Sequence, residues 1–476
     1  MPHIALVVDN PFRDLPGLVL VAARLAASGA TCHLVPLLRV DMELRALAPD
    51  LVLLNYVRPS NERLVRALVQ ADIGIAVHDT EGGVLTDLGV FDRCLLGDAD
   101  LRNVIALYCV WGEVLAEHLV KAGFFRADRV ALTGAPRFDF YAPQWRAAAL
   151  AASPYAGSTR QPMVLVNGNF TLANPRFQSP EQELRVAIEV FGEEPDEALA
   201  WQSRDRAALE GTVAMINHLA ARHPDTTFLM RPHPFERLET YQGMLDDRPN
   251  LRLEKRGTVD GWILRSSAVL QRSCTTAIEA GMAGVPALSP DWIPSPMPVP
   301  AADAASVHCA TLDELDAGVA AALTGSLAIP ESVSSELGAT VRKWFRAVDG
   351  RSAELVADAL LSVARPLPRE RRRKDARAIG EADPTGSIGR RSRAAARVMA
   401  KAALPGRVGN MRRGRSESVL GRSDKSFSVG DVTTLVHALG VSDADLSTAV
   451  TVGSARADYA NAIRFGRTVT IRPTGL

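Results

Sequence analysis

Apolar residues along the chain fall into short runs separated by helical patterns, and this alternation predicts most of the fold. His3–Val8 reads as a strand, and 15–28 has apolar residues at helical spacing up to Gly29. Further strands are expected at Thr31–Pro36, 50–55 and 73–77, with helical patterns at 61–70 and 112–122. Short β-rich runs alternating with helices indicate a parallel, doubly wound sheet covered on both faces.

The pattern restarts after 141–162, a stretch rich in Ala, Pro, Ser and Gly that reads as an interdomain linker. Strands are expected at 163–166, 226–230, 251–254, 268–271 and 286–289, with helices at 205–222, 275–283, Leu312–Leu323, 332–348 and 352–364. The expected class is α/β, with two Rossmann-like doubly wound domains over 1–150 and 160–364 facing a cleft. A basic linker at 365–426 and a small C-terminal appendage at 427–476, with a strand at 468–471, complete the expectation.

Composition changes this picture in one place. The 476 residues carry 54 Lys and Arg against 54 Asp and Glu, a formal net charge of zero. Eighteen of the basic residues and only six of the acidic ones lie within 365–425. This tail has almost no aromatic residue to stack on a base, which argues against nucleic acid as a partner. It reads either as a solvated linker or as a surface attracted to anionic membrane lipid. The five cysteines are widely spaced without a CxxC pair, which fits reduced thiols in the cytoplasm. The apolar N-terminus is short and reads as the first strand rather than a leader. No apolar run reaches the roughly 18 residues that a spanning helix needs.

Ligands of open α/β sheets bind beyond the carboxyl ends of the strands, and four motifs stand at such ends. In Arg231-Pro232-His233-Pro234 two prolines fix a turn, Arg231 can fork onto phosphate oxygens, and His233 can donate to one. The plain alternative is a rigid loop whose histidine packs or caps. In Gln271-Arg272-Ser273-Cys274-Thr275-Thr276 the hydroxyls of Ser273, Thr275 and Thr276 open a helix, where free N–H groups attract an anion. There the alternative is a capping box of Thr276 with Glu279; Glu279 is also placed to reach a ribose hydroxyl. Asn167-Gly168-Asn169 follows a strand, with Gly168 permitting close approach of a ligand, or else it is a simple turn. His78-Asp79-Thr80-Glu81-Gly82-Gly83 brings titratable groups to a strand end, or is a solvated loop.

Together these motifs resemble bacterial surface carbohydrate biosynthesis proteins, relatives of capsule Kdo transferases and CDP-glycerol glycerophosphotransferases. The likeness rests on "RPHP", on "GTVDGWILRSSAVLQRSCTTAIEAGMAGVPALS" (257–289), on "HDTEGG" and on "LTGAPRFDFY" (132–141), and spans roughly residues 7–364. It implies a GT-B fold and a glycosyltransferase that moves a sugar or polyol phosphate from a nucleotide-activated donor, CMP- or CDP-linked, to a glycan or lipid-linked glycan acceptor. By this resemblance His233 and the hydroxyls of Ser273, Thr275 and Thr276 hold the donor phosphate; Arg231 joins them on its own chemistry, with Asn167, Gly168, Asn169 and Glu279 as secondary donor contacts. Glu81, or else Asp79, is the general base. The expected location is the cytoplasm, peripheral on the inner face of the membrane. No Asp-x-Asp metal motif of the usual glycosyltransferase kind is expected, and no cofactor. The basic tail has no counterpart in the family. Two other readings share much of this pattern. A UDP-sugar 2-epimerase uses the same two-domain plan, though "SCTT" stands where an acidic "DSGG"-like loop is expected. A non-catalytic nucleotide-sugar binder needs the phosphate motifs without a base.

Overall fold

The computed structural model describes residues 1–154, 161–189, 193–295, 298–366, 425–455 and 468–475. The chain forms two compact units, Met1–Ala151 with Arg342–Leu476, and Ala152–Val341.

The first unit carries six parallel strands: β1 (His3–Val8), β2 (Thr31–Pro36), β3 (Leu51–Leu54), β4 (Gly74–His78), β5 (Leu107–Val110) and β6 (Val130–Leu132). Their order is β2-β1-β3-β4-β5-β6, which reverses between β1 and β3. All residues of β3 and β5 are buried, as in a sheet covered on both faces. The helix Leu15–Ala27 follows β1 and ends just before Gly29, whose φ of +90° turns the chain back.

The second unit holds β7 (Met163–Asn167), β8 (Thr227–Arg231), β9 (Leu251–Leu253), β10 (Ala268–Leu270), β11 (Ala287–Pro290) and β12 (Val307–Cys309). Every pair is parallel, in the order β12-β11-β10-β7-β8-β9, which reverses between β7 and β10. Val164, Val166, Phe228 and Leu270 from the sheet pack with Ile216 and Leu219 of the long helix Pro195–Arg222. Both units are therefore Rossmann-like and doubly wound, each with its own core.

The domain limits differ from the expected ones. Arg342–Val363 belongs to the first unit, where the helix Ser352–Val363 packs against Leu15–Ala27. Asp139, from the "PRFDFY" stretch, holds that helix by accepting the Ser352 N–H (2.9 Å) and the Ala353 N–H (2.7 Å). Burial pushes its carboxyl up to about 6. The residues expected to form an appendage extend the first sheet. β13 (Val450–Ser454) pairs with β14 (Val469–Pro473), and β14 pairs antiparallel with β2. His33 Nδ1 meets Thr470 Oγ1 at 3.0 Å, and Thr468 Oγ1 donates to buried Glu43 (2.6 Å), which ties this edge down. Of the expected basic linker, 367–424 lies outside the described residues. Among the described residues no helix is long and apolar enough to cross a membrane.

Candidate functional site

In the second unit the order reversal brings three loops to one end of the sheet. Asn167 ends β7 and stands in register with Arg231, which ends β8. Val166 pairs with Leu270, so Gln271 begins the next loop beside Asn167. Asn167 is buried, and its Nδ2 has no hydrogen-bond partner. A buried amide N–H without an acceptor costs about 1–3 kcal/mol, and this one stands at the switch point of the sheet.

Loops 168–176 and 232–237 are laced together. Arg176 N–H donates to the Phe235 carbonyl (2.7 Å), and Asn174 Nδ2 to that of Arg237 (2.9 Å). Two buried carboxylates hold the lacing. Asp205 accepts the N–H groups of Leu172 (2.9 Å) and Ala173 (2.8 Å) on one oxygen, and burial pushes its carboxyl up to about 7, with Glu236 adding to the rise. Glu236, fully buried, accepts the His233 N–H (2.8 Å) and the Tyr241 hydroxyl. Burial raises its carboxyl as well. Gly168 is required here for close approach: a Cβ would lie 2.8 Å from the Tyr241 hydroxyl and 2.9 Å from Met230 Cε.

Arg231 departs from the expected phosphate fork. Its Nη1 donates to the Lys255 carbonyl (3.1 Å) and its Nη2 to that of Gly257 (3.0 Å), so the guanidinium pins 255–257 beside the turn. Lys255 is thereby placed against the turn and donates to the Pro234 carbonyl (3.4 Å). Burial, then Arg176, pulls its ammonium down to about 8. His233 is half buried, with Nδ1 accepting the Phe235 N–H at 3.3 Å. Arg176, Lys255, Arg231 and His233 thus surround one turn.

The 271–276 loop divides its expected roles. Ser273 has φ +50°, is buried, and donates its hydroxyl to Asp303 (2.8 Å), so it anchors the loop. Gln271 accepts the Cys274 N–H (2.6 Å) and donates to Ser306 (2.8 Å). The helix begins at Thr276 with exposed Thr275 as its N-cap, and no side chain caps it. The alternative of a Thr276–Glu279 capping box is therefore not formed. Instead Thr276 Oγ1 is buried beside the Cys274 thiol, and Glu279 is buried. Asn169 is half buried on the 168–176 loop.

In the first unit Asp79 and Glu81 part company. Asp79 is buried, paired with Arg58 Nη2 (3.2 Å), and accepts the Glu81 N–H (2.9 Å). Burial raises its carboxyl, and the Arg58 charge opposes that rise. Glu81 is 60% exposed and lies 3.2 Å from Arg58 and 3.9 Å from Arg13. Gly82 and Gly83 serve packing: a Cβ on Gly83 would sit 2.6 Å from the Trp111 ring. His78 stacks on Trp111 and donates Nε2–H to the Gly134 carbonyl (3.1 Å); burial holds its pKa below the ordinary value. A cavity opens at the β1–β3 reversal, lined by Val7, Leu54, Asn55, His78, Trp111 and Arg137 among others.

Sequence reasoning missed Asp205, Glu236, Tyr241, Lys255, Asn55 and Trp111. Glu236 alone carried a signal, standing two residues after "RPHP"; the rest meet the site only through tertiary folding.

No protein-family model and no curated protein matches the chain. Solved structures similar to it include the UDP-GlcNAc 2-epimerase from Neisseria meningitidis bound to UDP-GlcNAc (12% identity, 76% of this chain and 100% of that one, TM-score 0.46). Another is the UDP-GlcNAc 2-epimerase of Methanocaldococcus jannaschii in complex with UDP-GlcNAc and UDP (13% identity, 76% and 99%, TM-score 0.44). The wall teichoic acid polymerase TagF is also similar (10% identity, 66% and 72%, TM-score 0.41). Likenesses this low bear on no residue and no reaction of this chain.

Proposed function

We propose that the chain is a glycosyltransferase of bacterial surface polysaccharide biosynthesis that uses a nucleotide-activated donor, held at the β7–β8–β10 end of the second unit. The observation that carries this is the buried, unpartnered Asn167 Nδ2 at the end of β7, together with the Arg176 and Lys255 cations at the 232–236 turn. Cations suit phosphate oxygens, and the unpartnered amide supplies a directional bond. His233 and the N–H groups opening the Thr276 helix then stabilise charge on the departing nucleotide as the bond to the transferred group breaks.

The acceptor hydroxyl needs a base to take its proton. Glu81 fits this role better than Asp79, because its carboxylate is exposed while Asp79 is buried against Arg58. Arg231, Ser273 and Asp205 are positioning residues in this reading. The donor base, CMP- or CDP-linked by the motif resemblance, is the specific point to test. A radiolabelled donor panel with CMP-, CDP-, UDP- and GDP-linked groups checks the class. Release of one nucleotide that depends on a glycan acceptor, and that falls in Glu81→Gln, is the expected result. Interconversion of a UDP-sugar with its 2-epimer without acceptor contradicts transfer.

A further inference from the structure

The cavity of the first unit has a chemistry of its own. It lies at the β1–β3 reversal, where an open sheet places ligands. Its walls are mainly apolar: Val7, Leu18, Leu53, Leu54, Ala135 and Pro136. Two lining residues carry buried N–H groups with no hydrogen-bond partner, Asn55 Nδ2 and Trp111 Nε1, on side chains 3% and 4% exposed. The indole N–H is a donor only, so its complement must be an acceptor.

Of the other polar groups lining the cavity, Asp14 and His78 are hydrogen-bonded. Asp14 accepts Arg13 Nε (2.8 Å) and the Asn10 N–H (3.0 Å). His78 Nε2 is bound to Gly134. The Arg137 guanidinium lies over Trp111 at 4.9 Å and over Phe138 at 4.4 Å. The volume of about 30 Å³ admits about two water-sized groups, far less than a sugar ring. What fits is a small substituent with a methyl for the apolar wall and a carbonyl oxygen for the donors.

We infer that this cavity takes the N-acetyl group of an acetamido sugar, with Asn55 and Trp111 as the residues that select it. The inference rests on the reading that the first unit receives the acceptor, and names the class of that acceptor. A hydroxyl or an ammonium in place of the acetamide leaves the apolar wall uncovered, and an ammonium meets two donors. A carboxylate brings no methyl to the apolar wall.

Saturation-transfer NMR on the full chain tests this with N-acetylglucosamine, glucosamine, glucose and glucuronic acid at millimolar concentration. The acetyl methyl is expected to receive the strongest transfer, and the other three sugars to bind about tenfold more weakly, the equivalent of one buried hydrogen bond. Trp111→Phe keeps the ring and removes the donor; Asn55→Leu keeps the shape and removes the amide. Each is expected to abolish the preference with the unfolding midpoint maintained, so either variant decides if the other fails to fold. Equal binding of glucose, stronger binding of glucuronic acid, no transfer to the methyl, or an unchanged preference in a folded variant overturns the inference. Nucleotide binding, measured on the same samples, separates the two readings. A protein that takes the acetamido sugar but no nucleotide defeats the transferase and keeps the cavity, whereas the converse defeats the cavity alone.

Discussion

The two units place their chemistry at the same topological feature and build it in opposite ways. At the β1–β3 reversal the first unit closes a small apolar cavity, packed by glycines against Trp111. At the β7–β10 reversal the second unit leaves a polar edge crowded with cations. The anchors differ in the same sense. Buried Asp79 is neutralised by a counter-ion, Arg58, whereas buried Asp205 and Glu236 rest on backbone N–H groups and a tyrosine. A counter-ion secures one carboxylate at a fixed place, while N–H acceptors stitch whole loops into position.

Removing the counter-ion tests the first half of that contrast and carries the largest expected effect. Arg58→Met leaves Asp79 buried without its partner and should cost about 3 kcal/mol at neutral pH. The loss should shrink in acid as Asp79 takes up a proton, and urea unfolding at two pH values measures both. The second half predicts a pH effect. Asp205 rises from its ordinary 3.8 to about 7 on folding, so the folded chain binds this proton more tightly. Its contribution is complete below about pH 4 and is lost as pH rises through about 7. Asp205→Asn keeps one acceptor oxygen for both N–H groups and cannot titrate. Its stability relative to wild type should therefore rise between pH 5 and pH 8, on the order of 3 kcal/mol, and an unchanged difference across that range contradicts the assignment.

Two smaller changes sharpen the comparison. Glu236→Gln removes one acceptor from the Tyr241–His233 pair and should cost about 1–3 kcal/mol, together with nucleotide affinity read by calorimetry. Thr276→Val removes a buried hydroxyl beside the Cys274 thiol. It should cost about 0.5–1.5 kcal/mol of stability, while nucleotide affinity falls; unchanged nucleotide affinity contradicts the role of this hydroxyl.

The parallel strands were legible because both faces are buried and leave continuous apolar runs: β1 and β2 match the expected residues, and β8 is shifted by one. Leu107–Val110 escaped notice although wholly buried, since a four-residue run with Tyr and Cys is short beside its helical neighbours. The C-terminal strands look like an appendage because their pairing with β2 joins residues more than 400 positions apart. The site was legible as motifs and illegible as roles. Arg231 and Ser273 carry the right chemistry for phosphate, yet their partners are Lys255, Gly257 and Asp303, which spacing cannot reveal. Asn55 and Trp111 left no pattern, since an unpartnered donor is visible only when its surroundings are known.

The central claim is that the polar edge of the second unit holds a nucleotide. Isothermal titration of the full chain with CMP, CDP, UDP and GDP measures it directly, on wild type, Asn167→Ala, His233→Ala and Glu81→Gln. Tight binding of one nucleotide, weakened about tenfold or more in Asn167→Ala and His233→Ala and unchanged in Glu81→Gln, is the predicted result. Binding of none of the four, or binding that ignores both second-unit variants, contradicts the account.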